Sequence, residues 1–274
     1  MSLATMTSLR RSLQEWAQRE GHQKFLRDDQ AAQLRSVLGN PNRRTQANVA
    51  AWMLGTWHLG YGMLRVLEGD ADGFDEARIG QGLRRASLLS RARHQQGPRR
   101  GRSRAKLPFS LLHGAWTALL GLALDDPGAE PLYELLLAQP DIAFSEKDHL
   151  PFFTRELLAL RNNRRPNMSS RLGIYEDVIL QWNGDARLFA RHLQDMLDVH
   201  LDEAQRAGAT FDDPALRLYP VEVIALRNVR DWLELPTPKV DHALMHGNLG
   251  QMSPRTAWPQ HDLLQRLERD AGGR

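Results

Sequence analysis

Three spacings in the chain are of the kind that supports chemistry. His242 and His246 lie four residues apart, so on a helix their rings would share one face, as two metal ligands do. The position after His242, where a zinc hydrolase needs a Glu as general base, is Ala243, and Pro238 and Gly247 bracket the segment; a structural or capping role fits better than a metal site. His192 with Asp195, and His200 with Asp202, sit on one long helical stretch, residues 186–207. A nearby carboxylate can orient a His for proton transfer, but a solvated helix face supplies such neighbours by chance, and no motif here supplies a nucleophile. GxxxxGK[ST], a GxGxxG following a strand, and GxSxG are absent, which removes the phosphate cradles and the esterase elbow. The chain has no Cys, so thiolate chemistry and disulfides are excluded as well. No catalytic residue, metal or cofactor is expected, and binding is the function class that remains.

Two charged segments suggest what would do the binding. Residues 195–213 hold Asp195, Asp198, Asp202, Glu203, Asp212 and Asp213 against a single Arg, Arg206. Asp195, Asp198 and Asp202 follow helical spacings of three and four and share a face. Such a patch either is an ordinary solvated face or steers a basic partner. Residues 84–106 carry nine Lys/Arg and no acid, which leaves 27 basic against 33 acidic residues elsewhere in a chain of net charge +3. Within it, residues 95–104 contain Gly97, Pro98 and Gly101 with Arg99, Arg100, Arg102 and Arg104, and read as a mobile basic loop. No aromatic residue is interleaved for base stacking and the remaining body is net negative, which argues against a nucleic acid as the partner.

The elements that must position these residues are helices. Alternation of period two is nearly absent, and apolar stripes of helical period run through most of the chain. Leu9, Leu13, Trp16 and Phe25 mark a first stripe ending near Gly39-Asn40-Pro41. Further helices are expected over residues 46–68, 76–94, 130–138, 148–161, 172–182, 186–207, 221–233 and 259–269. Gly55, Gly60 and Gly62 in the second of these suit close helix packing. Residues 107–124 hold no charge, but Pro108, His113 and a length that only just reaches spanning favour a buried core helix over a membrane span. The expected architecture is an all-α, irregular bundle of about nine or ten helices with no fixed repeat. It is read as one domain, 1–274, or as two halves, 1–140 with the basic loop 84–106 and 141–274. The N-terminus has no apolar run of signal-peptide length, so a cytoplasmic location is expected.

The C-terminal part carries a family resemblance. Residues 213–245 (DPALRLYPVEVIALRNVRDWLELPTPKVDHALM) form a short loop, a Pro-started helix and a Pro-bounded link to Asp241, following a long charged helix. This arrangement resembles the helical immunity proteins of bacterial polymorphic-toxin and type VI secretion loci, in particular the all-α family catalogued as immunity protein forty-nine. Pro151-Phe152-Phe153 and Leu157-Leu158-Ala159-Leu160 are compatible with it. The resemblance covers about half the chain, and residues 52–67 and the basic segment lie outside it. It implies a protein made alongside a toxic effector, such as a nuclease, that binds the toxin stoichiometrically and needs neither catalytic residues nor a cofactor. The acidic stretch would then face the toxin. The alternative is a helical scaffold with a basic loop facing nucleic acid.

Overall fold

The computed structural model describes residues 3–95, 110–140, 143–144, 147, 149–166 and 170–272. Among the described residues every regular element is helical, with thirteen α-helical segments, twelve of them longer than three residues. The count exceeds the expected nine or ten for two reasons. The first stripe is broken into α1 (Leu3–Gln18), the single turn α2 (Glu20–His22), a π-helical stretch Gln23–Asp29 and α3 (Gln30–Val37), and the four-residue helix α12 (Ala243–His246) is too short to show a period. Arg19 is extended (φ −64°, ψ 118°), and the wider π turn then shifts the phase of the stripe. Leu26 is buried in place of Phe25, which is 52% exposed.

α4 (Arg44–Leu67) and α5 (Gly73–Gln95) form the most intimate pair, antiparallel across Gly55–Gly80 and Gly62–Gly73. A Cβ on Gly80 would stand 2.5 Å from the Leu59 amide nitrogen and 2.6 Å from the Gly55 carbonyl. These glycines therefore set how closely the two backbones approach. The uncharged stretch forms α6 (Leu111–Leu124), capped by the Ser110 hydroxyl accepting from the His113 N–H at 3.1 Å; residues 107–109 lie outside the described residues. From Gly114 onward α6 is wholly buried, as a helix apolar all round must be. It packs on α5, on α8 (His149–Arg161) and on α11 (Val221–Trp232), so α4 and α6 share α5 as their neighbour. Asn228 of α11 donates to the Leu122 and Ala123 carbonyls at 2.8 and 3.1 Å, taking up carbonyls that the end of α6 leaves without helical partners. Among the described residues no helix is long and apolar enough to cross a membrane.

The larger apolar core draws on both sides of residue 140, from Leu9 on α1 to Leu249. A smaller one joins α3, α4 and α5 to α13 (Asp262–Gly272) through Leu34, Leu54, Leu83, Leu263 and Leu264. α7 (Glu130–Leu137), α9 (Glu176–Leu180) and α10 (Ala186–Glu203) complete the set. α10 opens on Asp185, whose carboxylate accepts from the Arg187 and Leu188 N–H groups. Its inner face, Phe189, Leu193, Met196 and Leu197, contributes roughly 1.5–3 kcal/mol per fully buried side chain. The helix stops four residues short of the expected Ala207. Phe211 folds back to stack on His200 at 4.0 Å between ring centroids, and the Asp212 carboxylate accepts the Gly208 N–H at 2.9 Å.

Candidate partner-binding face

The six acidic residues of 195–213 separate into two groups. Asp195, Asp198 and Asp202 stand on the outer face of α10, their side chains 62, 54 and 64% exposed. Asp202 pairs with Arg206 at 2.7 Å, and both are exposed. Glu203 is half-buried at the end of the helix. Asp212 is bound locally: besides the Gly208 N–H it takes Arg217, and these contacts hold its carboxyl below the usual Asp range. Asp213 belongs to the interior. Its carboxylate is 8% exposed and receives Arg84, itself 1% exposed, at 2.5 Å. The expectation that Asp213 faces a partner is corrected on that ground.

Folding adds two acids that lie too far away in sequence to have joined the patch. Asp177 of α9 approaches His192 Nδ1 at 3.7 Å, and the same ring lies 3.9 Å from Asp195. His242 Nε2 lies 3.4 Å from Asp198, and His246 Nε2 lies 2.6 Å from the exposed Asp241. The open face therefore runs from Asp177 across Asp195, Asp198 and Asp202, with Asp241 brought alongside, and three histidines are interleaved. Burial lowers the His242 pKa, and Asp198 opposes that shift. Two carboxylates are badly placed for helix stability. Asp202 and Glu203 occupy the last turn of α10, where the macrodipole favours cations, so local folding does not explain their presence.

The other sequence candidates resolve as structural groups. His242 accepts the Leu244 N–H at 3.2 Å as N-cap of α12, while His246 holds Asp241 instead. Among the described residues no group of three or more His, Asp or Glu is arranged to hold a metal. His200 does not engage Asp202. It is fully buried, with Nδ1 2.8 and 3.0 Å from the two Glu222 oxygens and Nε2 3.0 Å from the Leu216 carbonyl. Both ring nitrogens thus tie α10 to α11 and to the intervening turn.

The basic segment 84–106 is not a single loop. Residues 84–95 continue α5, and Arg84 and Arg85 are buried. Arg84 also donates to Thr56 Oγ1 at 2.8 Å and lies over the Trp52 ring. Arg85 pairs with Asp126 at 3.1 Å and with Glu268. Arg78, about two turns earlier on α5, is equally buried and is held by Asp75, Thr256 and the Pro254 carbonyl. Arg99, Arg100, Arg102 and Arg104 lie outside the described residues.

One contact with acid–base geometry escaped the sequence because its members are eighteen residues apart on two helices. His58 Nδ1 meets Glu76 Oε1 at 2.8 Å, and the His58 ring lies edge-on to His261 at 5.4 Å. Both histidines line an open cavity of about 320 Å³ with Arg27 and Arg35. A carboxylate can orient such a ring for proton transfer, but among the described residues no hydroxyl nucleophile lines the cavity. Compared with known proteins, the chain matches no family model, no curated protein and no solved structure.

Proposed function

We propose that this is a cytoplasmic immunity protein that neutralises a cognate bacterial toxin by stoichiometric binding, without catalysis. The observation that carries the reading is the open acidic face of Asp177, Asp195, Asp198, Asp202 and Asp241, in which Asp202 is maintained where the α10 dipole disfavours it. Exposed carboxylates of this kind contribute little to folding. They raise the association rate with a basic surface, such as the substrate cleft of a nuclease, by electrostatic steering. The resemblance of residues 213–245 to helical immunity proteins supports the same reading.

The test is coexpression with the product of the adjacent gene, followed by stopped-flow association of the purified pair. The chain should restore growth and form a stoichiometric complex. The Asp195→Lys/Asp198→Lys/Asp202→Lys variant should associate at least about tenfold more slowly at low salt and with less salt dependence. Unchanged kinetics in that variant would remove this face from the interface, and an unprotected host would remove the immunity function.

A further inference from the structure

Exposed apolar side chains gather at one end of the acidic face. Among the described residues five large apolar side chains are exposed, and three of them, Ile174, Leu180 and Leu188, fall between residues 174 and 188. The approach of Asp177 to His192 at 3.7 Å sets α9 alongside α10. Leu180 follows Asp177 by three residues and Leu188 precedes His192 by four. Each leucine therefore lies about one turn from that contact, on the side of the turn that joins the two helices. Leu188, His192 and Asp195 follow spacings of four and three and share the outer face of α10. The apolar end is thus continuous with the acidic face.

The leucines stand on a firm support. Val178 and Ile179 of α9 and Phe189 of α10 are buried. In the joining turn Trp182 is buried as well, and Arg230 of α11 lies 5.0 Å from its ring centroid and 4.3 Å from that of Phe189 while donating to the Trp182 carbonyl. The Gly184 N–H donates to the Gln181 carbonyl at 2.9 Å, and Asp185 caps α10. Single exposed apolar residues are ordinary, but these flank one anchored turn, and side chains presented on a rigid support lose little freedom on binding. Charge divides along the same surface. Arg187 and Arg191 are exposed at the start of α10 and offset Asp177 and Asp195 there, whereas Asp198 and Asp202 farther along are answered by a single Arg, Arg206. The surface is apolar and near neutral at the turn and acidic beyond it, so a complementary partner is apolar opposite the first part and basic opposite the second.

We propose that Leu180 and Leu188 are the anchors of the toxin interface, received by an apolar depression beside the toxin's basic surface. The inference rests on the toxin-binding reading and adds to it a division of labour. The aspartates act at a distance and set how fast the partners meet. The leucines act only in contact, where their burial is lost as the partners separate, and so set how long the complex lasts.

The experiment measures association and dissociation of the full chain and the product of the adjacent gene by stopped flow, for the wild type, Leu180→Ser and Leu188→Ser. Both positions are exposed, so each variant should keep the wild-type melting temperature. Each should dissociate about tenfold faster, with the association rate and its salt dependence unchanged. Dissociation at the wild-type rate in both variants overturns the anchor assignment and leaves the immunity reading standing. Absence of any complex with the wild-type chain overturns the immunity reading and the anchors with it. Sedimentation of the chain alone supplies the third outcome: a dimer that Leu180→Ser takes apart means that a second copy covers the leucines, which also overturns the proposal.

Discussion

The arginines of α5 and the aspartates of α10 are both dense runs of one charge, and the fold treats them oppositely. Arg78, Arg84 and Arg85 point into the protein and are met by carboxylates from α5 itself, from the loop after α6, from the turn after α10 and from α13. Asp195, Asp198 and Asp202 point outward and leave most of their charge to solvent. Asp213 is the exception that connects them, an acid of the second run drawn inside by an arginine of the first. Charge density along a chain therefore does not tell where the charge is used. Inside, each ion must be matched, because desolvation is costly. Outside, charge costs little and is available to a partner.

The largest effect should follow from breaking the pair that joins the two regions. Asp213→Ala leaves Arg84 buried without its carboxylate and should cost about 3–5 kcal/mol. The double variant Asp213→Ala/Arg84→Met should recover much of that loss. Chemical denaturation of the two variants measures both numbers, and a double variant no better than the single one would mean that Arg84 contributes mainly through Trp52 and Thr56. Next comes the spacing that places α5. Gly80→Ala would gain up to about 1 kcal/mol in an exposed helix, but here its methyl meets the α4 backbone. A loss of about 1–3 kcal/mol is expected, read as a fall in melting temperature.

The helices were legible because the apolar stripes are long; α4, α6 and α11 lie within a few residues of where their periods place them. The glycines of α4 announced close neighbours, although only the structure shows that α5 meets Gly55 and Gly62 while Trp16 of α1 meets Gly60. The site was legible only in part. Asp195, Asp198 and Asp202 share a face by helical arithmetic, whereas Asp177 and Asp241 reach that face through contacts which no local spacing encodes. Arg84 looked like the start of a solvated basic run because composition does not record the orientation of a helix. The break at Arg19 was hidden for a related reason: a π turn changes the phase of a stripe within continuous helix, and the glycine beside the break, Gly21, is itself helical.

Acid should separate the two regions next. His113, His242 and His261 have pKa values lowered by burial, and the buried charge of Arg84 adds to the effect at His113. Their folded pKa values lie below the unfolded value of 6.5, so this stability is complete above pH 6.5 and is lost as pH falls below it. Asp126 acts with the opposite sign. Burial raises its pKa despite Arg85, so its cost is present at neutral pH and is relieved as pH falls through the raised value. Urea unfolding from pH 8 to pH 5 should show a net fall in stability, reduced in His113→Gln. A flat profile would mean that the three rings protonate in the fold as easily as in the unfolded chain.

The smallest effect sharpens the comparison most. Asp195→Asn/Asp198→Asn/Asp202→Asn removes as many carboxylates as a severe core lesion would, yet its stability should change by less than about 1 kcal/mol. Losing the exposed pair with Arg206 costs a few tenths, and relieving the clash between Asp202 and the helix C-terminus returns a similar amount. The sign should turn favourable when Asp202→Lys and Glu203→Lys are combined, since cations suit that end of α10. Protein stabilised in this way but slower to bind its partner would show that the acids are kept at a small cost to folding for the sake of association. A loss of several kcal/mol would instead place them, with Asp213, among the charges that hold the fold together.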